Sequence, residues 1–363
     1  MDLSFESRLL ERALTPQPSP EAQLTFLTKL QRLFAEGDFT ATYKFALLIA
    51  LADLAVEQGR DDGEAMRLST RQIADKFVGL YWQQCTPYSS GRPGTVTGIL
   101  MQNAGSQAAV INLVVAFRER HPVSSPDAAS LLGAEFRALI SAVASVVSAQ
   151  PLTYLQNMGG QTDPFLYERE HGGIVLKPGV TYCLRRFQTL VQQLARSHWM
   201  DHVKRNRYNA PFLGDASDLE QYLFETSRQA LGLIGVGLRK LTGQRCFYCE
   251  SPVGDADVDH FIPFSLYPRD LVHNFVLTHG ACNRSKSDTL AAKPHLERWI
   301  AFADQHSDDL TQIGSDAGVV GDISASRAVT TWSYKNALSG GALAWLRPKT
   351  YEPIDSTYID CLD

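Results

Sequence analysis

The chain is poor in sulfur and has no long apolar run. Its six cysteines would make at most three disulfides, and three of them (Cys85, Cys183, Cys361) stand far apart in the sequence. A chain of 363 residues can bury a core large enough to do without covalent staples. No stretch reaches the ~18 apolar residues that a membrane span needs. The longest candidate, Phe45 to Val56, is short and carries Asp53. The first residues, Met1 to Glu11, lack the basic-then-apolar order of a secretory leader. Positive charge is not in excess either. A net charge of −5 excludes a protein that coats nucleic acid by bulk electrostatics, though not one with a local basic face. There is no fixed-period repeat. These absences point to a cytoplasmic protein with no membrane partner.

What is present is an ordinary globular composition, 44% hydrophobic and 20% charged, at a length that suggests two or three packed units. Helical periodicity dominates residues 1–120: Leu24, Leu27, Leu30 and Leu33-Phe34 recur at three to four residues, and the apolar Tyr43–Val56 stretch follows. Leu68-Ser69-Thr70 reads as the cap of a helix through Ile73, Phe77 and Tyr81-Trp82. That helix suits either a helix-turn-helix opening, with Arg71 and Lys76 exposed, or plain packing. Gln102 to Gln107 form a polar island that touches a base or merely turns the chain. His121 to Asp127, with two prolines and two serines, reads as a linker.

Residues 128–243 form a second unit. Pro151–Leu155, Phe165–Tyr167 and Gly173–Leu176 look like short strands of a small sheet, and long helices are expected over Thr181–Arg207 and Asp215–Thr242. The segment 181–208 is basic. Arg185, Arg186, Arg196, Lys204, Arg205 and Arg207 outnumber the single Asp201, with His198, Trp199, His202 and Tyr208 interleaved. Cations alternating with aromatics suit phosphate contact plus base stacking.

The remaining cysteines carry the chemistry. Cys246 and Cys249 form a C-x-x-C knuckle, and His279 and Cys282 form an H-x-x-C pair about thirty residues later. Two such pairs complete a tetrahedral Zn²⁺ site. Between them lie Asp259-His260 and Pro263, then Asn274, and Asn283 and Lys286 close the segment. This pattern resembles an HNH endonuclease domain in its zinc-stapled, ββα-metal form. The resemblance spans about 47 residues and rests on Cys246, Cys249, Asp259, His260, Pro263, Asn274, Cys282, Asn283 and Lys286. His279 stands where the family more often has cysteine, and Asn283 where it often has histidine; both can still bind metal.

Periodicity along the chain, with the resemblance over its 47 residues, predicts an α+β, predominantly helical protein: an N-terminal helical domain (1–120), a helical region with a small sheet (128–243), the HNH domain with its structural zinc (244–292) and a C-terminal helical extension (293–363). Asp259 and Asn283 would offer hard oxygen ligands to Mg²⁺ or Mn²⁺, and His260 would act as general base. Asn274 would support the His260 loop by hydrogen bonds. Lys286 and Arg284 would meet phosphate, with Arg196, Lys204, Arg205 and Arg207 adding grip upstream. Asp255 and Asp257 read as loop acids and His273 as exposed. The expected partner is DNA, with a second copy or a defence-system protein as further partners and restriction or antiviral defence as the setting. A zinc-stapled DNA-binding adaptor that does not cut, and an RNase toxin, remain the alternatives.

Overall fold

The computed structural model describes residues 16–91, 93–214 and 218–362. Met1–Glu11 and the expected helix start at Asp215 lie outside the described residues. Among the described residues helices dominate, with four small antiparallel sheets set among them.

Helix Tyr43–Gln58 is the axle. Every residue from Tyr43 to Val56 is buried, so it shows no amphipathic stripe and must be surrounded. Helices Thr70–Trp82, Val180–Arg186, Gln188–Arg205 and Ile323–Ser339 pack around it. Two charged groups are buried with it, Lys44 and Asp53. One apolar core runs continuously from Phe26 to Leu223, so the segment 121–127 is a turn inside a single core. Helix Pro126–Ser130 begins there with its proline in the first turn and Ser125 as cap. The apolar stretch Ala134–Tyr154 is long enough to cross a membrane by length and composition, and the Phe136, Leu139, Ile140, Val143 and Val147 side chains are buried in that same core.

Ser69 caps helix Thr70–Trp82 through a full capping box with Gln72. The strand before it, Met66–Ser69, pairs with Gly173–Leu176, which also pairs with Tyr167–Glu170. Gly173 sits opposite Ser69 so closely that a Cβ there would lie 2.3 Å from the Leu68 carbonyl oxygen. Pro151–Tyr154, expected as a strand, is a helical turn; Pro151 occupies the first helical position, where its missing N–H costs nothing. The long basic helix breaks at Phe187, leaving Val180–Arg186 and Gln188–Arg205.

The C-terminal part is more than a helical extension. Helices Lys293–Gln305 and Ile323–Ser339 are followed by a hairpin, Leu343–Arg347 with Thr350–Pro353. Together with residues 246–292 they form a shared core. Trp299 stacks on Phe261 at 5.2 Å and donates to the His273 carbonyl, and Ala292 N–H bonds the Trp345 carbonyl.

The two cores meet at a polar seam on the loop 261–274. Arg269 donates to buried Asp53 (2.8 Å) and to Gln192 (3.2 Å). The Tyr267 hydroxyl donates to Glu57 (2.6 Å), itself paired with Lys76 at 2.5 Å. Arg196 lies over the rings of Phe224 and Phe264 and donates to the Pro268 carbonyl. Replacing Trp299 by Ala removes a stacked, fully buried indole, so we expect a loss of about 3–5 kcal/mol in urea unfolding. A midpoint shift worth under about 0.5 kcal/mol, the scale of a surface change, would contradict this packing.

Candidate active site and zinc knuckle

Strand Asp257–His260 pairs antiparallel with Phe275–Thr278, placing His260 opposite Phe275 and Asp259 opposite Val276. Helix Gly280–Lys286 follows directly, completing a ββα unit. Side chains alternate along the first strand. Asp257 and Asp259 face that helix, where Asn283 Nδ2 lies 3.4 Å from Asp257 and Lys286 Nζ lies 3.2 Å from Asp259. Val258 and His260 take the other side. Gly235 of the preceding helix leaves room for the Val258 methyl.

The loop between the strands is held by Asn274. Its carboxamide accepts from the Ile262 N–H (2.7 Å) and donates to the Ile262 carbonyl (2.9 Å), while its own carbonyl accepts from Phe261 N–H. This clamp fixes the chain just after His260. The imidazole sits against Phe264 and Phe275, with Nε2 2.6 Å from Asp270 Oδ1. The other Asp270 oxygen accepts from the Thr226 N–H at 2.7 Å. Burial alone would raise the Asp270 pKa; the His260 contact and the Thr226 N–H outweigh it and hold the carboxyl below its ordinary value. An ionised Asp270 can only accept, so Nε2 donates to it, and in the neutral ring Nδ1 is then the acceptor. His260 Nδ1 has no hydrogen bond among the described residues, and the side chain keeps 23% of its surface in solvent.

Asp259 is buried, and its Oδ2 accepts from the Tyr248 hydroxyl (2.7 Å) as well as facing Lys286. The carboxylate beside Asn283 is therefore Asp257, a strand residue rather than a loop acid. Lys286 is not a phosphate contact. It is 1% exposed, bound to the His260 carbonyl (2.8 Å) and to Asp259, and burial pushes its pKa down against the Asp259 charge. His273, expected at the surface, is fully buried with Nε2 3.1 Å from the Ser307 carbonyl. Asp255 remains an exposed bend residue, and Arg284 is exposed beside Asp257.

The ligand atoms of Cys246, Cys249, His279 and Cys282 all lie within 4.8 Å of one another. His279 turns Nδ1 toward Cys249 Sγ (3.3 Å) and places Nε2 3.1 Å from the Pro252 carbonyl. A carbonyl only accepts, so Nε2 holds the proton and the Nδ1 lone pair is left for a metal. Cys246 receives N–H and hydroxyl donors at His279 and Thr278. Burial raises its thiol pKa, but the Cys249 N–H together with these donors wins and brings it to about 6. Burial and the neighbouring thiols push Cys282 up to about 12. Three thiols so close cannot all ionise without a cation among them, and the Cys₃His donor set suggests zinc.

Residues 246–292 match the family model described as HNH endonuclease, and residues 23–222 match the model of the family described as Domain of unknown function (DUF8808). The second match covers more than half of the chain. The chain belongs to that DUF8808 family. No curated protein and no solved structure matches it. The DUF8808 segment thus carries the axle helix, and an HNH endonuclease domain with a zinc-binding motif follows it.

The basic candidates of the DUF8808 segment divide by helix face. Arg196 is 5% exposed and wedged between Phe224 and Phe264, so it cannot reach a phosphate; it lies on the buried stripe with Gln192, Trp199 and Val203. Lys204, Arg205 and Arg207 are exposed. Asp270, Thr226 and Tyr248 carried no motif signal, because each acts through a partner distant in sequence or buried in the fold. We expect purified protein to hold one Zn²⁺ per chain by elemental analysis, and Cys282→Ser to lose it and to melt at lower temperature. Full zinc retention by Cys282→Ser together with Cys249→Ser would contradict the four-donor site.

Proposed function

We propose that the protein is a metal-dependent endonuclease that hydrolyses phosphodiester bonds in DNA, with His260 as general base. The observation that carries this reading is the His260–Asp270 pair at the open edge of the HNH hairpin. Asp270 orients the imidazole and leaves Nδ1 to take a proton from the attacking water.

Asp259 and Asn283, with Asp257 alongside, would hold Mg²⁺ or Mn²⁺. Asp257 and Asn283 sit side by side on the exposed rim, where their hard oxygen donors fit such an ion, and Asp259 faces the same helix with its Oδ2 held by Tyr248 and Lys286. When bound, the ion supplies neutralisation of the charge that builds on the phosphate and the leaving oxygen. Lys286 pins Asp259 and the His260 backbone to the helix, setting the spacing between base and metal ligands. Asn274 keeps the turn after His260 from sliding. Lys204, Arg205, Arg207 and Arg284 are the exposed cations available to the DNA backbone. A helical module joined to a nuclease in one chain fits restriction or antiviral defence, in the cytoplasm, acting alone, as a homo-oligomer or with a partner protein.

The test is nicking of supercoiled plasmid with Mg²⁺ or Mn²⁺, with labelled RNA in the same tube. We expect metal-dependent nicking of DNA, a drop of about 10²–10⁴-fold in His260→Ala, and a smaller loss with an altered pH profile in Asp270→Asn. Equal nicking by His260→Ala would overturn the base assignment. Cleavage of RNA alone would overturn the substrate, and retained DNA binding with no cutting under any metal would make the protein an adaptor.

A further inference from the structure

The polar island 102–107 and the C-terminal end of helix Gln188–Arg205 come together at a concave site whose rings and histidines the nuclease reading does not use. The cavity measures about 530 Å³, within the roughly 300–1,000 Å³ range of small-molecule sites. Its walls are Phe39, Phe45, His198, His202, Arg205 and Arg207.

Two features of this lining belong together chemically. The first is a set of aligned rings. Phe39 stacks on Phe45 at 4.5 Å and 4°, and Phe34 stacks on His198 at 4.7 Å and 23°. Rings already parallel present a ready layer for another flat ring. The second is a pair of guanidinium groups at the rim. Arg205 reaches only Asp201, at 3.6 Å, with 83% of its side chain in solvent. Arg207 lies against the exposed ring of Tyr208. The two arginines outnumber Asp201, so the charged rim stays positive.

Between the rings and the cations sits an unsatisfied polar group. His202 Nε2 is buried without a hydrogen-bond partner, its ring edge-on to Phe45 at 6.2 Å. Burial holds this imidazole below its ordinary pKa, hence neutral, with one donor and one acceptor to offer. Asn206 closes the floor: its carboxamide donates to the Asn103 carbonyl and fixes Ala104 at the cavity edge.

We propose that this site binds a nucleotide, with its base against the Phe39 and His198 rings, its base edge at His202 and its phosphate between Arg205 and Arg207. A simple anion would need the arginines alone, and an apolar ligand the rings alone; the lining provides both within one cavity. The site is not the place of cutting. His198, Asp201, His202 and Arg205 recur on one side of the helix, whereas Arg196, which grips the HNH loop, lies on the other. Arg205 and Arg207 are shared with the DNA contacts proposed above, so binding is measured separately from cleavage.

The experiment is calorimetric titration of the full chain, without Mg²⁺ or Mn²⁺, using deoxynucleoside monophosphates, a 5′-phosphorylated single-stranded decamer and inorganic tripolyphosphate as probes. We expect saturable binding of a nucleotide probe, weakened roughly tenfold in Phe39→Leu, the scale of a lost base-stacking contact. The Arg205→Ala/Arg207→Ala double variant, changed only at exposed side chains, should bind at least as weakly. A decamer bound more tightly than monophosphates assigns the site to a DNA strand; equal affinity assigns it to a free nucleotide. No saturable nucleotide binding overturns the proposal. So does tripolyphosphate binding as tightly as the nucleotides with Phe39→Leu unchanged, which would mark a plain anion site.

Discussion

A carboxylate inside an apolar helix sets the terms for the rest of this molecule. Asp53 is 2% exposed in the middle of helix Tyr43–Gln58, where an unpaired charge would cost several kcal/mol. Its two partners come from different segments of the chain. Gln192 donates from the neighbouring helix at 2.7 Å, and Arg269 from the HNH hairpin loop at 2.8 Å. The DUF8808 helices thus bury a negative charge whose direct ion-pair partner is an arginine of the nuclease domain. Removing one partner of such a pair typically costs about 3–5 kcal/mol, because the other is left buried and alone. The seam therefore gives the two segments a fixed relative register.

That register reaches the chemistry through one residue. Arg269 precedes Asp270, whose carboxylate holds the His260 imidazole on one oxygen and the Thr226 N–H on the other. Thr226 belongs to the segment between the two family matches, and Arg196 and Tyr267 secure the same loop. A ββα unit alone could place a histidine on a strand. It is the surrounding helices that place the carboxylate beside that histidine. Arg196 illustrates the cost: its guanidinium is buried among rings, and burial brings its pKa down to about 9.

Much of the site was legible in the sequence for a physical reason. Zinc ligands must sit on tight turns, so Cys246, Cys249, His279 and Cys282 show their role as spacing, and the structure gathers them within 4.8 Å. Helical periodicity likewise exposed the helical character of the chain, and Ser69 its capping box. Charge was the poor guide. Lys286 and Arg196 look like phosphate contacts in composition, yet each lies on a buried stripe; for Arg196 the stripe is shared with Trp199 and Val203, a pattern readable only once a face is assigned. Asp270 followed no spacing rule, because its partner on the far side is a backbone N–H from residue 226. The hairpin of residues 343–353 escaped notice because its turn uses Pro348 and a left-handed Lys349 (φ +63°) where a glycine or asparagine would have signalled it.

The seam is tested most directly by a double-mutant cycle of Asp53→Asn and Arg269→Met, read as the single-turnover rate of plasmid nicking with zinc content and urea stability measured alongside. If the helical segment holds the base in place, each single variant nicks more slowly while keeping its zinc, and the double variant is no slower than the worse single one. The coupling should fall in the range of about 0.5–3 kcal/mol seen for residues in direct contact. Single variants that nick at the wild-type rate, or losses that simply add, would show that the HNH domain positions His260 by itself and that the seam serves stability alone.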